Sequence, residues 1–411
     1  MKIHAWLLCA MLIVCACGKS SDDAPQTKEE FKVTTYPAEK VQKTKTQKVY
    51  VHLMPWFESK ETSPDGKWGQ HWTMANKNPD IINGSGQREI AAHFYPLTGP
   101  YASGDAAIIE YQLLLMKLSG IDGVFIDWPG TTVLYDYPLL VKNTEKLIAK
   151  LDKVGLTFAI VYEDQNINIA YNAQVIPDKL AAAQQDMAYL QSNYFNKSSY
   201  IKVNGKPLLM VFGPQTFTTE NEWTNVFNGL STKPAFFTLW NASGKAGKNA
   251  TGEFGWVYKT NLTDLTNFYG NAYAGVKVAS AYPGFKAFYT EGGWGSNPFT
   301  IDHNNISTFN ATLDLALNSG LESIQLVTWN DYGEGTMLEP TKEFGYGFLT
   351  SLQSKLGVSY TQTELELIAK LYELRKKYPG SAENQKKLDQ VFYYLVSNKI
   401  TEAKALLQEI K

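Results

Sequence analysis

Cysteine is nearly missing from this chain, and its placement matters more than its scarcity. The 3 cysteines, Cys9, Cys15 and Cys17, all lie at the extreme N-terminus. Everything downstream therefore has no disulfide, no thiol nucleophile and no Cys-based metal site. Histidine is also sparse: there are 5, with no HExxH and no paired ligand spacing, so no metal centre is implied. An excess of either charge is lacking too. The 38 Lys and Arg face 40 Asp and Glu, without the basic surplus of a non-specific nucleic-acid binder. No GxGxxG or GxxxxGKS/T stands between a strand and a helix, so no nucleotide cofactor is implied; a Gly-x-Ser-x-Gly elbow is absent as well.

Aromatic residues are plentiful. With 411 residues, 44% hydrophobic and including 24 Tyr and 10 Trp, the chain can fill one large core and leave rings for a surface site. At the N-terminus, Lys2 precedes an apolar stretch from Ala5 to Val14 that is too short to span a bilayer comfortably. It ends in Val14-Cys15-Ala16-Cys17-Gly18, which resembles the lipobox of bacterial lipoproteins. That resemblance implies a signal peptide over 1–16, cleavage before Cys17 and lipid on its thiol. The following Gly18-Lys19-Ser20-Ser21-Asp22-Asp23 resembles the export signal of surface lipoproteins in Bacteroidetes. The implied location is the cell envelope, on the outer membrane surface, with a lipid anchor as the only membrane contact. An ordinary secretory leader is the alternative. Residues 17–47, poor in apolar side chains, read as a flexible tether.

From residue 48 strand and helix signals alternate. Apolar runs at 48–54, 122–127, 157–162, 207–212, 235–239, 254–258, 276–281 and 323–328 predict eight strands. Asp105 reads as the N-cap of a helix that stops at Gly120, and Tyr137-Pro138 opens another that stops at Gly155. Helical stretches also fit 180–194 and 308–318, whereas Asn241 to Gly252 carries no helical pattern. Asn204-Gly205 is a hairpin turn signal. Eight strands alternating with helices predict a (β/α)8 TIM barrel over 48–357. A small C-terminal helical appendage over 358–411, broken at Pro379-Gly380 and near Asn398, is expected to pack on the barrel.

Chemistry is expected where strands end, because such barrels place their sites at the carboxyl ends of strands. After the eighth run comes Thr328-Trp329-Asn330-Asp331-Tyr332-Gly333-Glu334-Gly335. Asp331 and Glu334 sit in a glycine-containing loop that can aim both carboxyls into one cleft, as glycosidic bond cleavage requires. Glu334 would protonate the leaving oxygen, and Asp331 would activate water or a sugar hydroxyl. A solvated loop with one acid capping the next turn is the plainer alternative. Glu339-Pro340 downstream reads as structural. Expected sugar-contacting residues are Trp329, Asn330 and Tyr332 in the motif, Asp127 and Trp128 after the second run, and Glu163, Asp164 and Gln165 after the third. Trp56, His71 and Trp72 after the first run join them, with Tyr282 and Trp294 after the seventh, since flat rings suit the apolar faces of sugars.

Several blocks together resemble bacterial proteins of the glycoside hydrolase family 71/99-like group. They are His93-Phe94-Tyr95-Pro96-Leu97-Thr98-Gly99-Pro100-Tyr101, Glu110-Tyr111-Gln112-Leu113-Leu114-Leu115-Met116-Lys117, Gly120-Ile121-Asp122-Gly123 and the Trp329–Gly335 motif. The resemblance covers most of 48–350. It implies a barrel that cleaves α-linked glycans, of the α-mannan or α-1,3-glucan type, without a cofactor. Family 99 enzymes place two glutamates in a similar motif and are thought to pass through a 1,2-anhydro sugar; family 71 enzymes read Trp-Asn-Asp-Tyr-Gly-Glu and invert. Asp331 makes this chain locally more similar to family 71, while the Gly335-Thr336 and Glu339-Pro340 continuation and the His71-Trp72 pair are more similar to family 99. A carboxyl one methylene shorter leaves room for a water, which favours inversion. The competing expectation is a cell-surface glycan-binding lipoprotein that keeps the cleft without turnover.

Overall fold

The computed structural model describes residues 30–410. Eight parallel strands close into a barrel: Lys48–Leu53, Gly123–Trp128, Thr157–Tyr162, Lys206–Val211, Ala235–Leu239, Ala250–Phe254, Val276–Ala281 and Ser323–Leu326. The first strand pairs with the eighth (Lys48↔Ser323), and the third pairs with the fourth (Ile160↔Leu209), so the barrel has no open edge. The second strand is buried along its whole length, because barrel strands face packed side chains inside and helices outside. This is why the strands read as continuous apolar runs rather than as alternating ones.

The sixth strand is displaced from its expected place. It occupies Ala250–Phe254 instead of 254–258, after a short helix at Ser243–Ala246. Its partner positions explain the weak signal. Gly252 stands opposite Phe237 and Val276, and a Cβ there would lie 2.4 Å from the Phe237 ring. The strand needs its least strand-like residue where the neighbour is largest. The apolar residues at 256–258 lie beyond the strand end, with Trp256 edge-on to His52 and Phe212.

Helix boundaries follow the local chemistry. Asp105 accepts hydrogen bonds from Ala107 N at 2.7 Å and Ile108 N at 3.3 Å, opening the helix Ala106–Leu118. Gly155, at φ 80°, ends the helix Tyr137–Val154 in the left-handed conformation that glycine adopts at least cost. Lys202–Val203 folds back on the fourth strand through Asn204 and Gly205, both at positive φ, as a two-residue hairpin requires.

Residues 1–29, and with them Cys17, lie outside the described residues. The expected tether does not extend to Gln47 as a free segment, for residues 34–44 are tied down. Thr34 exchanges hydrogen bonds with the Gln390 side chain at 2.6 and 3.1 Å, Glu39 N donates to Val396 O, and Thr44 N donates to Leu356 O. Backbone groups make these contacts, and side chains add others: Tyr36 meets the Tyr394 ring at 5.7 Å, Val41 packs against the core and Lys43 pairs with Asp122. Three helices, Gln362–Lys377, Ala382–Val396 and Ile400–Glu409, form the C-terminal part. The first packs on Ala106–Leu118, where Arg375 meets the buried Glu110 at 3.1 Å. Among the described residues, no helix is long and apolar enough to cross a membrane.

Candidate active site

The loop carrying the two acids is held rigidly at the end of the eighth strand. Thr328 N donates to Thr336 O at 2.8 Å, closing its base, and Trp329 N donates to His52 O at 2.6 Å. Lys286 N and Phe288 N donate to the carbonyls of Glu334 and Gly333, both at 2.8 Å, lacing the loop to the segment after the seventh strand. Gly335 makes the return turn at φ 67°, and a Cβ there would lie 2.9 Å from Lys286 O.

Asn330 anchors the motif from below. Its side chain accepts from Met54 N at 2.9 Å and donates to Met54 O at 3.0 Å and to the Tyr101 hydroxyl at 3.2 Å. Glu339 lies beneath, accepting from Tyr101, Tyr332 and Gln112 at 2.7, 2.9 and 2.9 Å. Burial raises the Glu339 carboxyl to about 7 despite those donors.

Asp331 is buried and Glu334 half-buried in one neighbourhood. Burial lifts Asp331 well above the usual aspartate range, and the Glu334 charge lifts it further. Burial also raises Glu334, against the Tyr289 hydroxyl, which donates to its carboxylate at 2.8 Å. Asp331 receives the Glu334 backbone N–H at 2.9 Å, and its own N–H is fixed by Thr328 Oγ1 at 2.8 Å. Burial thus favours the protonated form of both acids, and for Asp331 the neighbouring Glu334 charge adds to it.

Asp331, Gly333 and Tyr289 open onto a cavity of about 360 Å³ walled by Trp56, His71 and Trp294. Trp56 and His71 stack face to face, 4.2 Å apart and 4° from parallel, and Trp294 meets His71 edge-on at 5.7 Å. Burial lowers His71 to about 3, so its 3.8 Å approach to Asp136 is not an ion pair at neutral pH. Among the described residues, no Lys or Arg lines this cavity.

A second acid pair belongs to the same neighbourhood. Asp127 and Glu163, at the ends of the second and third strands, hydrogen-bond through their side chains, and the Asp127 charge contributes to raising Asp331. Burial raises Asp127 to about 7; burial and then Asp127 raise Glu163. Gln165 donates to Glu163 at 2.7 Å.

Other expected contact residues are packed inside the protein and do not reach the cavity. Trp72, Trp128, Tyr282, Trp329 and Tyr332 are fully buried. Trp72 donates to Tyr101 O, Trp128 stacks on Tyr189, and Tyr282 donates to Asn261. Asp164 is turned away as well, accepting the backbone N–H groups of Gln215, Thr216 and Phe217 to fold the loop after the fourth strand. These rings and this acid build the site's support, a use indistinguishable by residue type from sugar contact. Tyr289 was not anticipated. It lies in the same loop as Tyr282 and Trp294, but nothing local marks which ring turns inward. Among the described residues, no group of three or more His, Cys, Asp or Glu side chains could hold a metal ion.

Comparison with solved structures supports the architecture. A family 99 endo-α-mannosidase from Bacteroides thetaiotaomicron superimposes with a TM-score of 0.56 at 17% identity, covering 87% of this chain and 98% of that one. The structure of that organism's endo-α-mannosidase in complex with bis-tris-propane gives 0.55 at 18%, with the same coverage. A glycoside hydrolase-like protein gives 0.53 at 11%, covering 79% of this chain and 97% of that one. No protein-family model and no curated protein matches the chain. At these identities the likeness is one of fold: the chain forms a (β/α)8 barrel.

Proposed function

We propose that the protein is a glycoside hydrolase acting on α-linked glycans of the α-mannan or α-1,3-glucan type. The observation that carries this reading is the adjacent acid pair, buried Asp331 and half-buried Glu334, on a hydrogen-bonded loop at the edge of an aromatic-walled cavity. Both carboxyls are raised, so one can keep a proton to donate while the other accepts. Glu334 is assigned the acid, protonating the leaving oxygen, and Asp331 the base that activates water. The Trp56–His71 stack and Trp294 offer apolar faces to sugar rings. The shorter Asp331 side chain favours water as the nucleophile and inversion at the anomeric carbon.

Purified protein incubated with α-mannan and α-1,3-glucan, with detection of new reducing ends, tests the activity. A leaving group that needs no protonation should partly rescue Glu334→Gln and leave Asp331→Asn inactive. Equal hydrolysis by wild type and both amide variants would defeat the assignment. Binding without hydrolysis by wild type would favour the glycan-binding alternative. We also propose that the chain is anchored in the envelope through lipid on Cys17, on the strength of the leader sequence. Cys17→Ala should abolish lipid labelling and the release of the barrel by protease on intact cells; persistent labelling would refute it.

A further inference from the structure

A second groove lies beside the acid-bearing cavity on the same face of the barrel, with a volume of about 580 Å³. It runs between the loops that follow the first two strands. Trp68 and Tyr135 are its aromatic residues, Pro64, Pro138 and Leu139 add apolar surface, and Asp65, Lys67 and Lys142 bring polar groups. The short helix Gln70–Thr73 stands between the two spaces, with Gln70 and Thr73 lining the groove and His71 lining the cavity. Gln70, which lines the groove, donates to Asp136 at 3.0 Å, and the same carboxylate oxygen is 3.8 Å from Nε2 of His71, which lines the cavity. The two spaces therefore adjoin across that helix, each of a size that sugar-scale ligands fill.

The rings in the groove are arranged for contact with a ligand. Tyr135 is 70% exposed and stands at φ 48°, a conformation costly for an aromatic residue. The backbone is thus held in an unfavourable state that leaves a ring in solvent. Trp68 is held in place, its Nε1 donating to Asp80 at 3.0 Å and the Arg88 guanidinium over its ring at 5.3 Å. At the groove's base the Glu58 carboxylate accepts from Asn143 and Thr62, so both of its oxygens are already engaged within the protein. Flat rings with amphoteric polar groups around them suit a neutral polyhydroxyl chain better than a charged ligand.

We propose that this groove holds sugar units of the same glycan chain, across the helix Gln70–Thr73 from Asp331 and Glu334. The protein then selects long chains over short ones. The proposal rests on the reading of the cavity as a glycan site.

The test compares kcat/KM on a graded series of α-linked oligosaccharides for wild type, Tyr135→Ala and Trp68→Ala, with thermal melts to check folding. Wild type should favour long over short substrates, and Tyr135→Ala should lower kcat/KM about tenfold on long chains only, the scale of one lost stacking contact. Equal kcat/KM on long and short chains in wild type, or a length preference that survives in both variants, would overturn the groove while leaving the glycosidase reading intact. If wild type hydrolyses nothing, that reading fails, and the groove is judged by electrophoresis through gels containing soluble α-mannan or solubilised α-1,3-glucan. Retardation of wild type that is lost in Tyr135→Ala would sustain it. Equal mobility of wild type and variants, retarded or not, would end it.

Discussion

Asp122 and Asp127 stand near opposite ends of the second strand, and the protein treats them in opposite ways. Asp122, at the N-terminal end of the barrel, is paired with Lys43 and Lys48 and accepts the Val49 N–H at 2.9 Å. Asp127, at the C-terminal end, has another acid as its partner and lies in a neighbourhood shared with Asp331. One end neutralises its carboxylate; the other gathers acids without a cation. Stabilising contacts collect where no chemistry is expected, and uncompensated protonation collects where the cavity opens. The contrast separates what holds the barrel from what the barrel is for.

The largest expected effect lies at the acidic end. Glu334→Gln or Asp331→Asn should lower turnover by about 10²–10⁴-fold, the scale of general acid–base catalysis. Melting temperature should hold or rise, since a buried repulsion is removed. A fall in both activity and stability would blur the contrast drawn above. At the opposite end the outcome should reverse. Asp122→Ala leaves Lys43 without its carboxylate and should cost about 1–3 kcal/mol in urea unfolding, with kcat on an α-glycan substrate unchanged.

A subtler effect concerns pH. Asp127 is raised from 3.8 to about 7 by burial, so the folded state keeps a proton that the unfolded chain releases. Its stabilising contribution is full below about 4 and is lost as pH rises through about 7. Melting curves from pH 4 to 7 should therefore fall less steeply for Asp127→Asn than for wild type; identical slopes would show that Asp127 is not protonated in the folded protein. The smallest effect is expected at the rim. Trp294, 43% exposed, touches His71 only edge-on, and Trp294→Ala should raise KM by about 2–10-fold without changing kcat. A change confined to kcat would place Trp294 closer to the reacting atoms than its rim position suggests.

Much of this was legible in the chain, for reasons that can be named. A strand buried on both faces, such as Gly123–Trp128, must be apolar throughout, and that leaves a readable run. The sixth strand hid because Gly252 makes room for Phe237, a requirement set by a neighbouring strand. Cap and turn residues such as Asp105, Gly155 and Asn204-Gly205 act within a few residues of themselves, so their roles were open to reading. The same holds for the placement of Asp331 and Glu334 just after a strand.

Sequence by itself determined the element order, the barrel, and which loops carry acids and rings, because those properties are local or periodic. Tertiary structure alone decided which of those groups face the cavity. Trp72, Trp128, Tyr282, Trp329 and Tyr332 went to the core, and Asp164 to a backbone cradle, whereas Tyr289, unmarked in the chain, came to Glu334. Tertiary structure also joined Gln70 to Asp136 across 66 positions and set the helix Gln70–Thr73 between cavity and groove. The physical reason is that side-chain direction depends on how distant segments pack, and burial, which sets the acids' protonation, exists only once they have packed.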